Sequence, residues 1–178
     1  MSFELETFMD GMDYSQHPFF QGLDPKDIEG LLSALCDVTI AAGETFIHEG
    51  KQEGLMYVVF AGTTEVYSTR NGGESLLAVI EAPAVLGEIE ALSGGSRAAN
   101  VRAKTEVQAC VLDAKKFFER IDAGEPGAHK LLLRLARVLA KRLSAMNQKF
   151  TEIERRPKPP RHDELREFQR KLFSEWSV

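Results

Sequence analysis

Cysteine is scarce in this chain of 178 residues, which contains only Cys36 and Cys110. Two cysteines so far apart form neither a disulfide framework nor a zinc-binding spacing. The four histidines are scattered along the sequence and also lack the spacing of metal ligands. We therefore expect no bound metal and a reducing, cytoplasmic environment.

Basic residues are outnumbered, and long apolar runs are missing. The chain has 22 Lys and Arg against 27 Asp and Glu, for a net charge of -5, whereas non-specific binding to nucleic acid needs a basic face. No apolar run approaches the ~20 residues of a membrane helix, and the N-terminus lacks the basic start of a signal peptide. These absences argue against DNA and the membrane as partners.

What is present is a change of periodicity along the chain. Residues 3–12 show a weak helical pattern, and a stronger one runs from Asp24 to Cys36, with Asp24 as its cap and Pro25 at its first position. From Val38 onward the pattern changes to short apolar or β-branched runs, and glycine closes each of the first four. The predicted strands are 38–42, 45–48, 55–60, 63–68, 76–80, 100–103 and 107–112.

Many short strands at close spacing predict a mainly β fold, a β-roll or jelly roll with flanking helices. A short helix is predicted over 115–121 and a long one from about 127 to 155, with apolar residues at steps of three and four. Two interpretations of the long helix stay open: it packs on the strands, or its far end pairs with a second copy of the chain. Its basic residues predict a solvated face; they are Lys130, Arg134, Arg137, Lys141 and Arg142.

The chain beyond the long helix begins with prolines. Pro157, Pro159 and Pro160 predict a stiff linker. An amphipathic tail follows, with an apolar stripe of Leu165, Phe168, Leu172 and Trp176. A tail of this size cannot bury the stripe by itself, so it docks on its own domain, on a second subunit or on another protein.

The chemically informative segment spans residues 86–101, which we call the cassette. Gly87 precedes a short helical run, so the main-chain N–H groups of Ile89 and Glu90 are predicted to point outward at the start of a helix. Such a helix start binds anions. The segment therefore predicts one anion site.

Arg97 is the cation of the cassette, and the small side chains of Ala98 and Ala99 allow close approach beside it. An arginine next to a helix start holds a phosphate by charge-assisted, bidentate hydrogen bonds. Glu88 could accept a hydrogen bond from a sugar hydroxyl, and a phosphate site beside a sugar acceptor indicates a nucleotide. The alternative is a plain ion pair between Glu88 and Arg97 across a loop. No residue has the context of a catalytic group, so we expect no enzyme.

The cassette resembles the phosphate-binding cassette of the cyclic-nucleotide-binding domain family, above all in Gly87-Glu88 followed by Arg97-Ala98-Ala99. The resemblance covers about residues 17 to 145. Its further motifs occur in the family's order: 17–23, 42–44, 49–50, 56–59, Gly62, 65–67 and 83–88. It implies the family's β-roll, with the long helix as a hinge and lid that shifts when ligand binds.

The family's residue roles carry over to this chain. The resemblance implies that Glu88 accepts the ribose 2′-hydroxyl, that Arg97 pairs with the cyclic phosphate and that Gly87 permits the tight approach. The main-chain N–H groups around Glu90 and Ala98 would complete the cradle. Ala98 stands where some guanine-selective members carry Thr or Ser, which favours cyclic AMP; cyclic GMP and a cyclic dinucleotide remain alternatives. Candidates for covering the base are Ser144 and Asn147.

Glu90 departs from the family's pattern, which usually has a small residue at this position. A carboxylate ~6 Å from a phosphate costs about 1–3 kcal/mol of binding, unless its side chain turns to solvent. The expected function is a sensor that binds a cyclic nucleotide and signals through the C-terminal helix. The alternative is a degenerate domain in which Glu90 blocks the phosphate site and the fold serves dimerisation or scaffolding.

The expected organisation has four parts: an N-terminal helical segment over 1–16, the β-roll over 17–125, the long helix over 126–156, and the linker and tail over 157–178. The part after Pro157 is too short for a helix-turn-helix domain, so we expect a stand-alone sensor. The expected partners are the cyclic nucleotide and a protein bound through the long helix and tail, with a homodimer as an alternative.

Overall fold

Eight antiparallel strands in two sheets form the centre of the structure, a computed structural model that describes residues 12–70 and 72–154. The strands are β1 (Leu35–Ile40), β2 (Thr45–Ile47), β3 (Leu55–Ala61), β4 (Thr63–Ser68), β5 (Ser75–Glu81), β6 (Ala84–Leu86), β7 (Asn100–Ala103) and β8 (Val107–Asp113). One sheet has the order β1-β8-β3-β6 and the other β2-β7-β4-β5. The predicted mainly β fold with flanking helices is confirmed.

The sheet that contains β3 and β8 is buried on both faces. Met56 and Val58 of β3 pack in a core with the helices, whereas Tyr57 and Val59 pack between the two sheets. This division follows from the strand period of two, which sends alternate side chains to opposite faces. It also explains why residues 55–60 are apolar without interruption instead of alternating with polar residues.

Within the described residues, four α-helices flank the sheets. They are α1 (Pro25–Leu31), α2 (Glu88–Ser93), α3 (Ala114–Asp122) and α4 (Pro126–Glu154), and three short 3-10 turns cover Tyr14–Gln16, Pro18–Phe20 and Leu32–Ala34. Asp24 and Asp27 cap α1 reciprocally, each side chain accepting from the other's main-chain N–H at 2.9 Å. The predicted start of this helix is therefore correct.

The predicted end of α1 at Cys36 is wrong, because the chain enters strand β1 at Leu35. The apolar residues up to Leu35 continue the helical spacing, so the sequence pattern does not mark the change. Cys36 instead lies opposite Val111 in the ladder between β1 and β8. Pairing with a strand 75 residues later in the chain decides this boundary. A local sequence pattern carries no information about such a long-range pairing.

Among the strands of the described residues, β6 is the one that the sequence pattern does not predict. Its three residues are too few to show a period of their own. They pair antiparallel with β3, with Leu86 opposite Tyr57 and Ala84 opposite Val59. This pairing matters for the cassette, because β6 ends at the residue before Gly87.

Helix α4 packs on the roll with its first half and extends beyond it with its second half. Ala128, Leu131 and Leu135 are fully buried, and Leu139 packs partly against the same core. Leu143, one turn later, is 54% exposed. The first interpretation of the long helix holds for this half, and pairing with a second copy stays a prediction. The predicted helix over 3–12 and the tail over 157–178 lie essentially outside the described residues.

Candidate functional site

A left-handed glycine joins β6 to the helix of the cassette. Gly87 has φ +79°, and α2 begins at the next residue. A β-carbon at this position would lie 2.2 Å from Nη1 of Arg97 and 3.0 Å from the carbonyl oxygen of Leu55. The left-handed backbone conformation therefore favours glycine here, and a β-carbon would also force the guanidinium of Arg97 to shift.

The guanidinium of Arg97 is turned into the protein, and the residue is only 2% exposed. Nη1 donates to the main-chain carbonyl of Gly87 at 2.8 Å, and Nη2 donates to that of Leu55 at 2.5 Å. Nε is buried without a hydrogen-bond partner among the described residues. Arg97 therefore ties the start of α2 to the start of β3 and leaves one buried donor unused.

Glu90 supplies the counter-charge for Arg97. Its Oε2 lies 3.1 Å from Nη1 of Arg97, and the residue is 4% exposed. Its Oε1 accepts hydrogen bonds from the main-chain N–H groups of Glu53 (3.0 Å) and Gly54 (2.9 Å). The carboxylate therefore does not turn to solvent; it forms a buried ion pair inside the cassette.

Glu88, the neighbour two residues earlier, faces a different partner. Its Oε1 accepts a hydrogen bond from Nη1 of Arg142 in α4, and Nη2 of Arg142 donates to the carbonyl of Val85 at 3.1 Å. Both side chains are buried, Glu88 almost completely. The predicted alternative of an ion pair between Glu88 and Arg97 is wrong, since each of the two residues pairs elsewhere.

The loop between β2 and β3 is held against the cassette by main-chain hydrogen bonds. The N–H of Gly50 donates to the carbonyl of Arg97 at 2.9 Å, and the N–H of Arg97 donates to the carbonyl of Lys51 at 2.8 Å. The side-chain amide of Gln52 donates to the carbonyl of Gly94. Together with the bonds that Glu90 makes, these contacts fix residues 50–54 on the cassette.

Tyr57 lies inside the roll close to this loop. Its hydroxyl donates to the carbonyl of Phe46 at 3.3 Å, and the two rings meet edge to face with centroids 5.0 Å apart. Burial raises the pKa of Tyr57 to about 12, and the nearby carboxylates of Glu53 and Glu44 add to the effect, while Arg97 opposes it. Tyr57 is therefore a neutral hydrogen-bond donor at any physiological pH.

The structure brings together part of the predicted site. Gly87, Glu90 and Arg97 form one contact group, while Glu88 points to α4. The side chain of Ile89 is half exposed, Ala98 is exposed and Ala99 is partly buried. Ser144 and Asn147, the candidates for covering a base, are both exposed in this structure.

Sequence reasoning missed Arg142, which it placed on a solvated face. The helical spacing contains the signal that finds it. Arg142 follows buried Leu135 by seven residues and partly buried Leu139 by three, so it lies on the packed face of α4. Lys130 is exposed, as predicted, and it also pairs with the carboxylate of Asp27 at 2.5 Å.

The described residues contain neither a candidate metal site nor a candidate membrane-spanning helix. No group of three or more His, Cys, Asp or Glu residues could hold a metal ion in the described part of the chain. Among the same residues, no helix has both the length and the apolar composition needed to cross a bilayer.

Comparison with known proteins assigns the chain to a family. The sequence model described as "Cyclic nucleotide-binding domain" matches residues 37–123, which include the whole cassette. The chain belongs to the cyclic nucleotide-binding domain family.

Members of the family resemble the chain over most of its length. The CRP-like cAMP-activated global transcriptional regulator of Mycobacterium tuberculosis is 29% identical over 135 residues, which is 75% of this chain and 58% of the regulator. The chain thus spans little more than half of that relative.

Solved structures agree on the fold. The N-terminal domain of a transcriptional regulator from Streptomyces coelicolor A3(2) is 31% identical, with a TM-score of 0.59 over 74% of this chain and 92% of that domain. Catabolite activator protein of Thermus thermophilus is 25% identical, with a TM-score of 0.64 over 77% of this chain and 63% of that protein.

Proposed function

We propose that this chain binds a cyclic nucleotide in the cassette and passes the binding event to α4. One observation carries the proposal: the hydrogen bond between Arg142 of α4 and Glu88 of the cassette. Glu88 is the carboxylate that the family resemblance assigns to the ribose. The same side chain therefore serves the expected ligand site and the contact with the long helix.

The coupling follows from this shared carboxylate. A ribose hydroxyl that donates to Glu88 competes with Arg142 for the same carboxylate. A phosphate that binds Arg97 changes the charge beside the start of α2. The ligand moves α4 only to the extent that it binds two positions of the helix with different affinity. Arg142 also donates to the carbonyl of Val85 in β6, two residues before Gly87, so a shift of α4 acts on the chain on both sides of Gly87.

Cyclic AMP is the first ligand of the proposal. The relative from Mycobacterium tuberculosis is described as cAMP-activated, and Ala98 offers no hydroxyl beside Arg97. Cyclic GMP and a cyclic dinucleotide are the alternatives. The proposed role is binding and not catalysis, in a reducing cytoplasm where Cys36 and Cys110 stay free thiols.

The output of the proposed sensor lies on α4 beyond the roll. Leu143 is largely exposed, although it continues the apolar spacing of the helix. We propose that this part of α4 and the tail over 157–178 bind a protein partner, with a second copy of the chain as the alternative. A ligand that repositions α4 would change how this surface is presented.

A second function is favoured by the ion pair between Glu90 and Arg97. With its cation paired and buried, the cassette offers no free charge to a phosphate. In that case the fold persists as a non-binding domain, and α4 serves dimerisation or scaffolding.

Calorimetric titration with cyclic AMP, cyclic GMP and cyclic di-GMP separates the two functions. The sensor predicts micromolar binding of one nucleotide and its loss in Arg97→Ala, whereas the matched control Arg137→Ala, an exposed arginine of α4, keeps it. Circular dichroism confirms that each variant is folded. Absence of heat and of thermal stabilisation with all three nucleotides at millimolar concentration would refute the sensor.

A further inference from the structure

The carboxylate of Glu90 occupies a small anion site that the chain builds for it. Two main-chain N–H groups, those of Glu53 and Gly54, donate to Oε1 at 3.0 and 2.9 Å. The guanidinium of Arg97 faces Oε2 at 3.1 Å. Two N–H donors beside a guanidinium are also the groups that hold a phosphate in proteins. An anion is thus already present at the cation of the cassette.

The pairing leaves two buried atoms unsatisfied. Oε2 of Glu90 and Nε of Arg97 each lack a hydrogen-bond partner among the described residues. Buried polar atoms without partners destabilise an arrangement, and they are rare in native proteins. A phosphate offers several acceptor oxygens and could satisfy the donor that Glu90 leaves unused. The internal pair is therefore one that an incoming phosphate can replace.

Glu90 also links the cassette to the chain segment before β3. Its two hydrogen bonds end on Glu53 and Gly54, and β3 begins at the next residue, Leu55. The remaining bonds between this loop and the cassette, through Gly50, Lys51 and Gln52, do not involve Glu90. Departure of Glu90 from Arg97 would therefore free two amides and leave the others in place.

We propose that Glu90 is a built-in competitor of the ligand phosphate: it holds Arg97 in the unliganded chain and leaves when the phosphate binds. This inference rests on the proposed cyclic-nucleotide function and adds to it a residue that sets affinity. Glu53 already places a second, partly exposed carboxylate 3.7 Å from Nη2 of Arg97, so a phosphate that joined Glu90 there would meet strong repulsion. Exchange of Glu90 for phosphate leaves the number of anions at Arg97 unchanged and releases the N–H groups of Glu53 and Gly54.

The first test compares Glu90→Gln with the wild-type chain. Glutamine keeps the size of the side chain and an acceptor for the two N–H groups but removes the competing charge. Cyclic AMP and cyclic GMP should bind this variant about tenfold more tightly or better. Glu106→Gln, a matched change at an exposed position between β7 and β8, should leave both affinities unchanged. Adenosine and guanosine, which lack the phosphate, should gain nothing from Glu90→Gln.

The second test needs no variant. Hydrogen exchange of the wild-type chain at saturating nucleotide should become faster at the amides of Glu53 and Gly54, while the amides of Gly50 and Arg97 stay protected. Unchanged exchange at Glu53 and Gly54 would overturn the release of the loop.

The outcomes separate this inference from the proposed function. Equal affinity of the wild type and Glu90→Gln for a nucleotide that both bind overturns the competition and leaves the sensor standing. Binding by Glu90→Gln alone refutes the sensor in the wild type and overturns the exchange, because Glu90 then blocks the site and does not leave Arg97. Failure of both proteins to bind any cyclic nucleotide overturns the function and the inference together.

Discussion

Arg142 of α4 donates a hydrogen bond to the carboxylate of Glu88, 54 residues earlier in the chain. The same guanidinium donates to the carbonyl of Val85, so one side chain of the long helix bonds to the chain before and after Gly87. Each side chain is buried, and a buried charge depends on its partner.

Arg142→Gln is therefore expected to lower the free energy of unfolding by about 3–5 kcal/mol, because it leaves Glu88 buried without its cation. Chemical denaturation measures this loss. The double variant Glu88→Gln with Arg142→Gln should recover part of it, since no unpaired charge remains. Lys141→Gln, one residue away and exposed, should change stability by less than about 0.5 kcal/mol. An equal effect of Lys141→Gln and Arg142→Gln would contradict the buried contact.

Gly87→Ala tests the close approach of Arg97. Alanine at a positive φ costs about 1–2 kcal/mol wherever it occurs, and at Gly87 its β-carbon would also collide with Arg97. Gly94 is the matched control, because its φ is +67° and a β-carbon there meets nothing within 4 Å. Gly87→Ala should therefore destabilise the protein clearly more than Gly94→Ala in denaturant titrations. Equal losses would show that Arg97 simply moves aside.

Gly127→Ala tests the contact between α1 and α4. In most helices this change stabilises the protein, because alanine is the better helix former by about 1 kcal/mol. At Gly127, however, a β-carbon would lie 2.4 Å from the carbonyl oxygen of Asp27, which is backbone and cannot turn away. We expect a net loss of stability and a weaker ion pair between Lys130 and Asp27. A rise in the melting temperature would refute this account.

His17 is expected to make stability fall with acidification. Its ring is buried, accepts from the N–H of Phe19 and contacts the carbonyl of Val59, and the rings of Phe20 and Phe60 cover it. Burial lowers the pKa of His17 from 6.5 to about 4. Between these values the unfolded chain binds more protons than the folded one. The contribution is therefore complete above pH 6.5 and declines towards pH 4 by up to about 1.4 kcal/mol per unit.

The measurement for His17 is the slope of unfolding free energy against pH between 4 and 6.5. His17→Asn, which keeps a capping acceptor but does not titrate, should reduce that slope relative to the wild type. His48→Asn, a change at an exposed histidine, should not. If both variants keep the wild-type slope, carboxylates and not His17 govern the acid dependence.

Most of the architecture could be predicted from local patterns. Strands β4 and β7 lie at the predicted bounds, and the other predicted strands differ by one to three residues at one or both ends. Alternation of apolar and polar residues, glycine turns and capping residues are local features of the sequence, so they can be recognised without knowledge of the fold. The end of α1 and the existence of β6 were not predictable, because pairing with β8 and β3 decides them.

In the cassette too, some features could be predicted from the sequence and others depend on the tertiary structure. Its glycines, its carboxylates and Arg97 are recognisable from their order along the chain, because a phosphate site needs those groups within one short segment. The choice of partners was not recognisable. Arg97 pairs with Glu90 and donates to the carbonyl of Leu55. Glu88 pairs with Arg142, which lies in a helix that begins 38 residues later. Buried charges pair with whatever opposite charge the packing brings near them, and packing is a property of the folded chain.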